Sequence, residues 1–256
     1  MPDINLVKLP EMPKFLDYCV SPAAKEIGRT LSNIFYLIFN PINYPIEKLR
    51  IKQAENLKKY AHDIQVELNK IPEDKLVEPR LSIVGPALEA SKYYIEEDEI
   101  RQMFAKLIAS SMNTDTMSKV HHSIIEIIKQ LSPLDASNLA IIFDKKVLPI
   151  AKFMLQKPNS GEGIDIKTHI FLSNQKISDI DVISASISNL IRLGLVEVDY
   201  LSSLVNDSFY DVFKEHQLAK LYNDPKTIED LTKKSPYHEF KIIKGIRECK
   251  EFCVNG

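Results

Sequence analysis

The chain has 256 residues, 45% of them apolar and 27% charged, which are the proportions of a folded protein able to bury a sizeable core. Lys and Arg total 33 against 35 Asp and Glu, so a net charge of −2 supplies no global field toward nucleic acid or anionic lipid. Its seven glycines (28, 85, 161, 163, 194, 245 and 256) lack the spacing of a P-loop, a dinucleotide fingerprint or a nucleophile elbow, and nucleotide enzymes of those types are excluded.

Residues 1–22 carry four prolines and little periodicity, which predicts an extended leader over residues 1–21. Residues 1–13 show no basic region followed by an apolar stretch and a small-residue cleavage site, so no secretory signal is read there. Ser21-Pro22 is a cap and first-turn pair that starts a helix. Residues 30–46 are 17 positions without a charge, interrupted by Asn40, Pro41, Asn43 and Pro45; that interruption argues against a membrane-spanning helix. Two readings stay open for this segment. Leu31, Ile34, Phe35, Leu37 and Ile38 form part of the amino-terminal core, or they dock on a membrane surface or apolar protein. In the docking case the basic residues that follow, Lys48, Arg50 and Lys52, favour anionic lipid, because residues 47–59 carry net +3.

Beyond the break, Ala54, Leu57, Ala61, Ile64, Leu68 and Ile71 recur at alternating spacings of three and four, the seam of a packed helix that Pro72 stops. Three prolines and a glycine make residues 70–86 a connector. Ile100, Met103, Phe104, Leu107, Ile108 and Met112 then mark one face of a helix whose start is stabilised by Glu96, Glu97, Asp98 and Glu99. A further helix is predicted over residues 120–131, with His121-His122 facing water at its start, and Ser132-Pro133-Leu134-Asp135 opens the next.

After about residue 132 the pattern changes. It predicts a helix over 133–144, a strand over 164–172, and a helix over 180–193 capped by Gly194. A short strand in LGLVEV follows, then a helix over 207–222, a strand over 240–243 and a terminal helix holding Cys249 and Cys253. The expected fold is mainly α: an amino-terminal helical domain over 22–131 and a carboxy-terminal α+β winged-helix-like domain over 132–256. In that domain Ser184, Ser186, Ser188, Asn189 and Arg192 would line the outer face of the reading helix. Residues 133–223 hold nine basic and eleven acidic residues, which disfavours DNA and favours protein docking.

VEPRLSIVGPALEASKYYIEEDEIRQMFAKLIASSMN at residues 77–113 resembles the prokaryotic abortive infection alpha (Abi-alpha) family. PAAKEIG at 22–28 and VHHSIIEIIKQLSPLDA at 120–136 carry the same resemblance, while KIIKGIRECKEFC echoes the family's carboxy-terminal pattern only loosely. The resemblance implies a mostly helical prokaryotic protein associated with phage defence, and it supplies no catalytic residues.

Killing by RNA cleavage would need recognisable chemistry. An Arg followed by His at the spacing of a phosphate-cleaving dyad does not occur after any of the six arginines. Asp165-Ile166-Lys167 after Asp144 imitates a metal nuclease but reads better as a solvent-facing strand. His238-Glu239 lacks the second histidine of a zinc helix, since position 242 is Ile, and adjacent helical histidines such as His121 and His122 diverge too far to share a metal. Cys19, Cys249 and Cys253 are too few for a disulfide framework and point to a reducing cytoplasm. The expectation is therefore a non-enzymatic defence component without cofactor or metal. It would act through a protein partner, a phage-derived trigger or the inner face of the membrane; the rival is a winged-helix transcriptional regulator.

Overall fold

A computed structural model describes residues 13–39, 47–175 and 177–249. The chain divides after Pro133 into two compact units. The first is helical. Its helices are α1 (Pro22–Phe39), α2 (Glu47–Leu68), α3 (Leu81–Ser91), α4 (Asp98–Ser111) and α5 (His122–Ile128). Helix α4 packs against both α2 and α3, and the apolar residues these helices bury are Ile100, Phe104, Leu107 and Ile108 of α4, Tyr60, Ile64 and Leu68 of α2, and Ile83, Val84, Ala87 and Leu88 of α3. The Val, Leu, Ile and Phe side chains among them each contribute on the order of 1.5–3 kcal/mol by burial.

The predicted seam of α2 shifts by a fraction of a turn. Tyr60 and Asn56 are buried where the spacing pointed to Ala61 and Leu57, which are only half-buried. The connector expected over 70–86 is corrected more substantially, since α3 begins at Leu81 and runs through Pro86. Proline normally clashes with the β-carbon of the residue before it, and here that residue is Gly85, which has none. The cost of one lost helical hydrogen bond is offset by the burial of Ile83, Val84, Ala87 and Leu88.

The second unit joins α6 (Pro133–Lys145), α7 (Ile180–Arg192), α8 (Asp211–Lys214), α9 (Gln217–Tyr222) and α10 (Pro225–Lys234) to a four-stranded antiparallel sheet. Its strands are β1 (Val147–Gln156), β2 (Gly163–Ile170), β3 (Val196–Asp199) and β4 (Glu239–Cys249), in the order β2-β1-β4-β3. Helix α7 starts where the Asp179 carboxylate accepts the Asp181 and Val182 amides at 2.8 and 3.4 Å. It ends at Gly194, whose φ of 73° lets the amides of Gly194 and Leu195 reach the carbonyls of Ile191 and Leu190 and turns the chain directly into β3.

Three expectations are corrected in this unit. The helix expected over 207–222 breaks into a 3-10 turn, α8 and α9, because His216 leaves the helical conformation and its Nδ1 accepts the Leu218 amide as a new cap. The described part of the expected terminal helix, up to Cys249, is instead part of β4, a strand that pairs with β1 on one side and β3 on the other. Cys249 therefore lies on a strand, and Cys253 lies outside the described residues. Strand β1 and helix α10 were not anticipated. Inside the sheet the fully buried Arg247 guanidinium sits 3.7 Å from the ring centroid of Phe171.

Candidate functional site

A group of ionisable side chains in the second unit surrounds an irregularity in β2. Ala151 opposes Ile170 and Phe153 opposes Lys167, so Lys152 alone faces both Thr168 and His169. The bulge puts His169 in the left-handed region at φ 53°, uncommon for a side chain of this size. Tyr200, directly after β3, holds it there. Its hydroxyl oxygen accepts the His169 amide at 2.9 Å and lies 3.1 Å from His169 Nδ1. The Tyr200 ring reaches this position across Gly245, where a β-carbon would come within 2.7 Å of both the ring and the Asp199 carbonyl.

Lys152 completes the group, its ammonium 5.5 Å from the Tyr200 ring centroid and 3.1 Å from the Asp165 carboxylate. Burial lowers the His169 pKa, with Lys152 acting in the same direction against the opposing pull of Asp165. Burial pushes the Tyr200 hydroxyl up to about 12, so at neutral pH the pair is an uncharged imidazole and an intact phenol. Such a pair fixes the bulge by hydrogen bonding, and any proton transfer at neutral pH would run through the neutral imidazole.

Tyr200→Phe removes the acceptor of the His169 amide, and we expect it to destabilise the second unit by about 1–3 kcal/mol, read as a lower urea midpoint. Burial lowers the His216 pKa as well. Both histidines are thus bound to fewer protons folded than unfolded, and the stability they favour is complete above the ordinary histidine range and falls as pH drops through it.

Helix α7 turns much of its candidate face inward. Ser184 and Ser186 are buried, contrary to the outer-face expectation, because the apolar stripe of α7 is wider than its five isoleucine and leucine positions. Ser184 Oγ donates to the Thr168 carbonyl at 2.7 Å. Asn138 Nδ2 donates to Ser186 Oγ at 2.9 Å, and Asn138 Oδ1 accepts from Asn174 Nδ2 at 2.8 Å. Ser188 Oγ donates to the Ser184 carbonyl at 2.7 Å. Asn189 Nδ2 donates to the buried Asp135 at 2.9 Å, and its Oδ1 receives Arg192 Nη2 at 2.7 Å. Ser188 and Arg192 remain exposed.

In the first unit the candidate docking segment divides. Leu31 and Phe35 are buried, and the Phe35 ring lies 5.7 Å from Phe15, 4.6 Å from Phe39 and 5.9 Å from Tyr60. Ile34 and Ile38 are half-buried, whereas Tyr36 is 41% and Leu37 74% exposed. Lys52 is exposed with Nζ 2.5 Å from the Glu96 carboxylate, so part of the basic character expected beside the segment is already neutralised. Residues 40–46 and the side chains of Lys48 and Arg50 lie outside the described ones.

Asp165 and Lys167, the imitation of a metal nuclease, are ion-paired with Lys152 and Asp181 respectively. Among the described residues no group of three or more His, Cys, Asp or Glu is placed to hold a metal ion, and no helix is long and apolar enough to cross a membrane. Sequence reasoning missed His169 with Tyr200, and it missed Arg101. That guanidinium is buried and bonded to Asp63 at 2.7 Å, to Asp98 at 2.6 Å and to the Ile95 carbonyl at 3.2 Å. The one available signal was an arginine inside the apolar stripe of α4. It also missed a run of exposed apolar residues after β3, comprising Leu201, Val205, Phe209 and Val212.

The sequence model of one protein family, described as abortive infection alpha, matches residues 52–246, from within α2 to within β4. Neither a curated protein nor a solved structure matches the chain.

Proposed function

The chain belongs to the abortive infection alpha family, and from that premise we propose that it is a phage-defence component acting through protein contacts, without catalysis of its own. The observation that carries this reading is the surface after β3. Leu201 and Val205 are fully exposed there, and Phe209 and Val212 are about half so, at 53% and 49%. Four large apolar side chains exposed within a dozen residues of chain support an interaction surface there. The partner is a host protein or a phage-derived trigger met in the cytoplasm. Peripheral contact with the inner face of the membrane is a second reading, favoured by the exposure of Tyr36 and Leu37 at the end of α1. The winged-helix regulator loses support because polar side chains of α7 that would read bases are spent on Thr168, Asn138 and Asp135.

A phage plating assay, with cell survival measured at high infection multiplicity, tests the proposal. Cells expressing the intact protein should be protected. The triple variant Leu201→Ser, Val205→Ser, Phe209→Ser should fold and fail to protect, while Asp165→Ala with Lys167→Ala should protect as well as the wild type. Full protection by the triple variant would sink the contact surface, and loss of protection by the folded double variant would revive a nuclease. A salt-dependent shift of DNA by the purified protein would favour the regulator.

A further inference from the structure

We infer that residues 15–21 form a strap over α1 that opens as a unit of its own, latched by the Glu73 carboxylate. Phe15, Leu16 and Cys19 are buried, while Tyr18 and Val20 between and beyond them are exposed. Four amides of the strap donate to side-chain oxygens elsewhere in the first unit, and at its junction with α1 the Ser21 carbonyl accepts the Lys25 amide at 3.2 Å. The Phe15 amide donates to Ser32 Oγ at 3.2 Å and the Leu16 amide to Gln65 Oε1 at 3.1 Å. The amides of Val20 and Ser21 donate to the two oxygens of Glu73, each at 3.0 Å.

The strap lies directly on α1, where the Phe15 carbonyl occupies the space a β-carbon on Gly28 would need. Ser32 and Phe35 continue the same helical face, and the Phe15 and Phe35 rings meet edge to face at 5.7 Å. Leu16 is held at φ 57°, a left-handed conformation that disfavours any residue with a β-carbon and that leucine leaves readily once its contacts are released. A short segment with a strained residue, held by side-chain oxygens outside any ladder, is the kind that opens below the free energy of global unfolding. Its opening uncovers Gly28, Ser32 and the aromatic strip from Phe35 toward Phe39 and Tyr60.

Cys19 reports the opening. The intact chain is labelled with an aromatic disulfide reagent and Cys19 is followed by peptide mass mapping, apart from Cys249 and Cys253. Amide exchange at Phe104, at the centre of the unit, gives the global opening in the same sample. We expect Cys19 to open more often than Phe104 yet to react more slowly than an unfolded thiol. The Glu73 carboxylate also acts directly on the Cys19 thiol, so we expect Glu73→Ala to raise Leu16 amide exchange, and with it Cys19 labelling corrected for the thiol's changed acidity, at least about tenfold with Phe104 protection little changed. Glu73→Gln keeps one acceptor oxygen and should fall between, and it serves in place of the alanine variant if that does not fold. Equal opening constants for Cys19 and Phe104 in the wild type would overturn the strap. Labelling at the rate of an unfolded thiol, or corrected labelling and Leu16 exchange unchanged by the Glu73 substitution, would overturn the latch.

Discussion

Phe104→Asp should abolish the cooperative melting transition of the first unit. Phe104 is fully buried at the meeting of α2, α3 and α4, with the Tyr94 ring 6.0 Å away. Losing the ring leaves a cavity that costs about 3–5 kcal/mol. The introduced carboxylate then has to be buried or to expose its neighbours, which takes the total above about 4–5 kcal/mol, a large part of what holds a domain together. Circular dichroism on a fragment-independent sample of the full chain would show loss of helix content, and a transition within 2–3 °C of wild type would mean the stripe is not core.

Gly28→Ala should be nearly as damaging although it adds one carbon. The β-carbon would stand 2.0 Å from the Phe15 carbonyl oxygen and 2.8 Å from the Leu16 β-carbon. Neither is the free end of a flexible side chain, so relief requires moving the backbone of residues 15–16 off α1. That displaces two buried side chains together with the hydrogen bonds to Ser32 and Gln65. We expect a loss of more than about 3 kcal/mol, beyond the usual range for overpacking. Helix propensity favours alanine over glycine by roughly 1 kcal/mol, so any loss in the thermal melt of the variant reports the clash and not propensity. A melting transition unchanged or raised would show that the close approach is not the cause.

The elements that could be read from the sequence are those whose burial repeats with the helical period and whose ends carry their own chemistry. The Ser21-Pro22 start of α1, the stripe of α4 and the Asp179-to-Gly194 span of α7 are of this kind. Information that is not local was harder to read. Helix α3 was hidden by Pro86, whose effect depends on Gly85 before it and on what the helix buries. Strand β4 was read only over 240–243 because Gly245 looks like a strand ending, whereas it is the place where the Tyr200 ring crosses. The serines of α7 looked like an outer face because small polar side chains ordinarily are; the polar partners that draw them inward, Asn138 and Thr168, lie 48 and 16 residues away. For the same reason the His169 and Tyr200 pair, 31 residues apart, left no spacing to find.

Strand order in the second unit has a consequence for how the chain is made. Strand β4 is the last of the described strands to leave the ribosome, yet it lies between β1 and β3 and is the partner of both. Until residues 239–249 emerge, β3 has no strand to pair with and the long apolar β1 offers an open edge of ten residues, of the kind that templates aggregation. The helical unit has by then been complete for more than a hundred residues of synthesis. A message cut short before Glu239 would therefore yield a protein with a finished first half and a sticky second one, a ready substrate for quality-control proteolysis.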